Sequence, residues 1–129
     1  MSIAQSPVEM MLPITNPDTA QEFYADRLGL PFEGANDAGE LMFQLGGGSH
    51  LVLRQLPAGS QSKNTAMSFE VHGIESEISE LEGQGVTFED YDTPDLKTVN
   101  HICEMGDEKA AWFCDPDGNI LCLHEHVDN

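Results

Sequence analysis

The chain repeats itself, and this limits its fold more than any other feature. Its first half reads strand, helix, then three strands. After a loop rich in Ser, Gly and Gln at 57–64, the same order returns. Gly29-Leu30-Pro31-Phe32-Glu33 parallels Gly85-Val86-Thr87-Phe88-Glu89. Gly48-Ser49-His50-Leu51-Val52-Leu53-Arg54 parallels Gly118-Asn119-Ile120-Leu121-Cys122-Leu123-His124. Two matches in one order point to internal duplication. A βαβββ unit of about 60 residues leaves one sheet face uncovered and is marginal by itself. Two such units can share a curved sheet, which gives an α+β fold.

The local signals are specific. Residues 8–14 are apolar and run into Asn16, Pro17 and Asp18, which suit a helix cap, its first turn and its positive end. Ala20, Phe23, Tyr24 and Leu28 recur at helical spacing, and Gly29 is the stop. Strands are expected at 30–34, 41–45 and 50–56. In the second half, strands are expected at 66–71, 86–89, 101–104, 110–114 and 120–124. Ile74, Ile78 and Leu81 mark one face of a helix ended by Gly85. The stretch 90–100 reads as a long loop, and Asp115-Pro116-Asp117-Gly118 as a turn.

Composition narrows the partners. The 129 residues carry 23 Asp+Glu against 5 Lys+Arg, a formal net charge of -18. Binding phosphate takes Lys or Arg, so nucleic acid and anionic membrane surfaces are excluded as partners. No apolar run approaches the roughly 20 residues that span a bilayer, and residues 1–7 lack the features of a signal peptide. Cys103, Cys114 and Cys122 are odd in number and lack CxxC spacing, as expected of reduced thiols in a cytoplasmic protein. The acidity reads either as a solvated or haloadapted surface or as attraction for a cationic ligand. Glu75, Glu80, Glu82 and residues 90–95 fall on a helix face and loops, which favours the first.

Several motifs resemble one family. The opening strand, the Asn16-Pro17-Asp18 corner, Phe23-Tyr24 and Leu28-Gly29-Leu30 are similar to landmarks of the vicinal oxygen chelate superfamily, which includes glyoxalase, bleomycin-resistance and extradiol-dioxygenase proteins. The stretch from Ala111 through Trp112-Phe113-Cys114-Asp115-Pro116-Asp117-Gly118 to Leu121 resembles its most specific signature. Gly85 to Glu89 with Tyr91, Pro94 and Leu96-Lys97-Thr98 resembles a group of small bacterial members. The resemblance covers nearly the whole chain. It implies one domain over 1–129, with module one at about 7–57, a linker at 58–64 and module two at about 65–126. It further implies an incomplete curved-sheet barrel around a cleft, and commonly a homodimer. Function does not follow from the fold.

In metal-dependent members each module supplies ligands from its first and last strands. Landmark spacing places these positions at Glu9, Val52, Ala66 and Cys122. Strand alternation agrees, setting Glu9, then His50, Val52 and Arg54, then Ala66, Ser68 and Glu70, then Ile120, Cys122 and His124 on the cleft face. Valine and alanine cannot coordinate, and a glutamate plus a thiol falls short of a three-ligand site. The usual metal is therefore expected to be absent.

The residues expected to line the ligand site are Glu9, Met11, His50, Val52, Arg54, Ser68, Glu70, His101, Cys122 and His124. Arg54 either grips an anionic ligand group or pairs with Glu9 or Glu70. Glu9 and Glu70 are candidate general bases or cation-attracting groups, or partners of Arg54 or a histidine. Cys122 is either a nucleophile served by His124 or an inert buried thiol. His124 and His126 share a strand face and form either a metal-binding pair or a frayed polar end. One of Trp112 and Phe113 is expected in the core and the other as an aromatic wall. Gly46-Gly47-Gly48 lacks GxxxxGK[ST] and is a turn, not a phosphate loop. The reading is a small-molecule-binding protein without the usual metal. The alternative is a lyase, isomerase or dioxygenase, either with a relocated metal held by Glu9, His50, His101 and His124, or using Glu9 or Glu70 as an acid/base.

Overall fold

The computed structural model describes residues 3–127. The chain divides into two compact units between Gln61 and Ser62.

In the first unit β1 (Glu9–Ile14) leads to a helix, α1 (Pro17–Gln21), which continues as a π-helical turn over Glu22–Arg27. The Asn16 side chain caps it, accepting from the backbone N–H groups of Asp18 at 3.0 Å and Thr19 at 3.2 Å. The expected single α-helix is thus half π-helical. The Leu28 N–H reaches back five residues to the Phe23 carbonyl, and the neighbours Phe23 and Tyr24 are both buried. Then come β2 (Phe32–Ala35), β3 (Leu41–Gln44) and β4 (His50–Gln55). The sheet order is β1-β4-β3-β2, with β1 and β4 parallel and the other pairs antiparallel. Leu12, Ile14, Leu51, Leu53, Leu41 and Phe43 fill the face under the helix. Tyr24 packs on Phe43 with ring centroids 5.9 Å apart. Each such side chain contributes about 1.5–3 kcal/mol by leaving water.

The second unit repeats the plan. It contains β5 (Thr65–Glu70), α2 (Ile74–Gly83), β6 (Cys103–Met105), β7 (Glu108–Cys114) and β8 (Ile120–His126). The sheet order is β5-β8-β7-β6, with β5 and β8 parallel. Met67, Ala111, Phe113, Leu121 and Leu123 are buried on one face, together with Ile74 and Ile78 of α2. The Glu125 carboxylate accepts hydrogen bonds from the Gly73 and Ile74 N–H groups, so a residue on β8 caps α2. The Asp115 carboxylate closes the Asp-Pro-Asp-Gly turn by accepting from the N–H groups of Asp117 and Asn119.

Three further expectations change. Residues 86–89 form no ladder, only the bridge between Phe88 and Phe113; the segment is held by the burial of Val86 and Phe88. The strand expected from His101 begins at Cys103, because Asn100 and His101 have left-handed backbones, with φ of 53° and 72°. The last strand runs on to His126, held by its pairing with Glu108. Both sheets are open, so the architecture is α+β with two βαβββ modules. No helix among the described residues is long and apolar enough to cross a membrane.

Candidate functional site

Opposite the helix-covered face, each sheet presents a second face whose rows follow from register. In the first unit these rows are Gln44–His50–Glu9 and Met42–Val52–Met11, with Arg54 and Pro13 beyond. Met11 is 47 % exposed, whereas Val52 is 1 % exposed. His50 Nε2 lies 3.2 Å from a Glu33 carboxylate oxygen, and Gln44 donates to the other oxygen at 2.9 Å. Among the described residues no ion-pair partner faces Glu9.

Arg54 pairs with Glu40, at 2.7 Å, rather than with Glu9 or Glu70. Asn36 also donates to Glu40, at 2.9 Å. Those two hydrogen bonds, Asn36 first and Arg54 second, hold the Glu40 carboxyl below its ordinary value. Glu40 escaped the sequence reading because its turn gave no strand phase to follow.

In the second unit the rows are Cys114–Ile120–Thr65, Trp112–Cys122–Ser68, Ala110–His124–Glu70 and Glu108–His126. A β-bulge at Ala66 makes Thr65 the partner of Ile120. Trp112 donates from Nε1 to Thr65 Oγ1 at 3.2 Å, and Tyr91 meets it edge-on at 5.6 Å. Phe113 is the core member of the Trp-Phe pair, fully buried, while Trp112 is half-buried on the open face. Tyr91 comes from the 90–100 loop, where the sequence showed an acidic run and no strand phase. Burial, then the neighbouring Glu89, pushes the Tyr91 phenol up.

Cys122 is 6 % exposed, and burial pushes its thiol up. Its Sγ lies 3.2 Å from the Leu123 carbonyl. A thiol kept protonated is a poor nucleophile. His124 turns elsewhere: its Nδ1 is 2.6 Å from Ser68 Oγ, and its Nε2 is 3.8 Å from a Glu70 oxygen. His126 Nε2 is 4.0 Å from the same Glu70 oxygen, and its Nδ1 is 4.0 Å from Glu108.

His101 lies elsewhere. Its ring nitrogens pair with Asp90 at 3.0 Å and with Glu82 of α2 at 3.3 Å, and its ring neighbours Phe88 on the helix side of the sheet. The relocated set Glu9, His50, His101 and His124 is therefore not gathered within either unit: His50 is engaged by Glu33, and His101 and His124 lie on opposite sides of the second sheet. The four positions that the resemblance assigns to a metal are Glu9, Val52, Ala66 and Cys122. Two of them have no donor atom, and the third is a buried thiol held protonated. These residues do not fit a divalent ion.

No protein-family model and no curated protein matches the chain. Solved structures do. A member of the glyoxalase/bleomycin resistance protein/dioxygenase superfamily from Sphaerobacter thermophilus DSM 20745 superposes with a TM-score of 0.71 at 21% identity, covering 94% of this chain and 97% of that one. TnmS3, an antibiotic binding protein from Streptomyces sp. CB03234, gives 0.70 at 21% identity over 98% of this chain and 100% of its own. A glyoxalase/bleomycin resistance protein from the same organism gives 0.66 at 21% identity over 92% and 98%. The chain therefore has the fold of the vicinal oxygen chelate proteins.

Proposed function

We propose that the chain is a member of this superfamily that binds a small molecule without using the family's metal positions. The observation that carries the reading is the open face of the second sheet. There half-buried Trp112 and Tyr91 meet edge-on, beside the hydroxyls of Thr65 and Ser68 and the thiol of Cys122. A few polar groups around an aromatic wall suit a partly apolar organic ligand. One protein of this fold, TnmS3, is an antibiotic binding protein. What transfers is the class, small-molecule sequestration, and not the identity of the ligand. We also take a homodimer as the working assembly, to be checked by sedimentation equilibrium.

Trp112 is the chain's one tryptophan, so its emission reports directly on this face. In a screen of aromatic and heteroaromatic compounds against metal-free protein, binders are expected to change Trp112 fluorescence and raise the melting temperature together. Tyr91→Ala is expected to abolish both effects. Thermal shifts that leave Trp112 emission unchanged and survive Tyr91→Ala would refute this site.

A further inference from the structure

We infer that Glu70, His124 and His126 form a binding site for a divalent transition-metal ion, with zinc the natural probe. This inference does not rest on the small-molecule reading. Nor does it use the positions that the resemblance assigns to a metal. The three residues project from the open face of the second sheet, two from consecutive same-face positions of β8 and one from β5. One ligand atom from each lies within 4.8 Å of the others. Around a tetrahedral zinc with bonds near 2.1 Å, ligand atoms sit about 3.4 Å apart. The separations from Glu70 to His124 and His126, 3.8 and 4.0 Å, need only a few tenths of an ångström of contraction. The two imidazole ligand atoms lie within 4.8 Å of each other.

The surrounding hydrogen bonds aim the ligands. Ser68 Oγ lies 2.6 Å from His124 Nδ1. With the ring proton on Nδ1, the imidazole donates to the Ser68 oxygen. That tautomer leaves the lone pair on Nε2, the nitrogen that faces Glu70. A Glu108 carboxylate oxygen lies 4.0 Å from the Nδ1 of His126, the ring nitrogen turned away from Glu70. Two imidazoles and a carboxylate select a first-row ion over magnesium or calcium, and three protein donors leave a coordination position open. Half-exposed His124 and exposed Glu70 and His126 leave a path for the ion.

The test is calorimetric titration of the full chain, stripped with chelator, with zinc alone. One ion per chain is expected, with Glu70→Gln and His126→Gln each weakening binding at least about tenfold. Ser68 is a positioning residue: Ser68→Ala is expected to weaken zinc by about tenfold, and Ser68→Thr, which keeps the hydroxyl, to restore it. Cobalt loading is expected to give a spectrum without a thiolate charge-transfer band. Histidine ring resonances of the unsubstituted chain provide a readout even if a variant misfolds. Zinc is expected to shift those of His124 and His126 and to leave those of His50, His72 and His101 in place. Absence of zinc binding, undiminished binding in both ligand variants, a cobalt–thiolate band, or shifts confined to other histidines would each overturn the site.

Discussion

Replacing Leu121 by alanine tests which face of β8 is buried and which carries Cys122, His124 and His126. Leu121 is fully buried between its ladder partners Met67 and Phe113, themselves buried. The substitution deletes three carbons, about 2.4 kcal/mol at roughly 0.8 kcal/mol per methylene. Flanking strands cannot close over the hole, so a cavity contribution adds to this, and about 3–4 kcal/mol is expected. That is a large share of a stability of about 5–15 kcal/mol. Urea unfolding followed by Trp112 emission is the assay. With a slope near 2 kcal/mol per molar, the midpoint should fall by about 1.5–2 M. Ile120, the preceding residue, is half-exposed on the opposite face, and Ile120→Ala should cost only about 1 kcal/mol. If Ile120→Ala proved the costlier change, the assignment of faces on β8 would be wrong, and the candidate site with it.

Other consequences are open to measurement. Asn16→Ala removes the acceptor for two helix-end N–H groups and should cost about 1 kcal/mol in the same unfolding assay, with Asn16→Asp close to neutral. The hydrogen bonds from Gly73 and then Ile74 hold the Glu125 carboxyl below its ordinary value of 4.5. The folded state therefore binds this proton less readily than the unfolded one. The stabilisation is complete above the unfolded value and is lost as pH falls through the lower folded value. Glu125→Gln should flatten the acid limb of the stability–pH curve below about pH 4.5, and an unchanged limb would contradict this. The thiols of Cys114 and Cys122 are both pushed up, first by burial. Native protein at pH 8 should show no fast phase with a disulfide reagent and three reactive thiols once unfolded.

Much of the fold was legible because it rests on short-range signals. Asn16 caps its helix, Gly29 and Gly85 end their helical segments with positive φ, and Asp115 closes its turn. Alternation placed Glu9, His50, Val52, Ser68, Cys122 and His124 on the open faces. At Ala66 the register shifts, so that Thr65 pairs with Ile120 and Met67 with Leu121, and local sequence does not mark the extra residue. His101, expected in the ligand site, has a left-handed backbone that belongs to a turn and carries its ring towards α2. The sequence leaves His126 open between a metal-binding pair with His124 and a frayed end, because its pairing with Glu108 lies across the ladder, out of reach of a local signal.

The repeat, the helix ends and the inward or outward sense of most strand residues were determined by the sequence, since each depends on neighbours a few positions away. The partner of Arg54, the meeting of Tyr91 with Trp112 and the gathering of Glu70 with His124 and His126 were decided only by the tertiary structure. These groups come from segments 14, 21 and 54 residues apart. Each closeness is set by strand register and loop path, which burial on the helix side of each sheet enforces: Leu51, Leu53 and Phe43 in the first, Leu121 and Phe113 in the second.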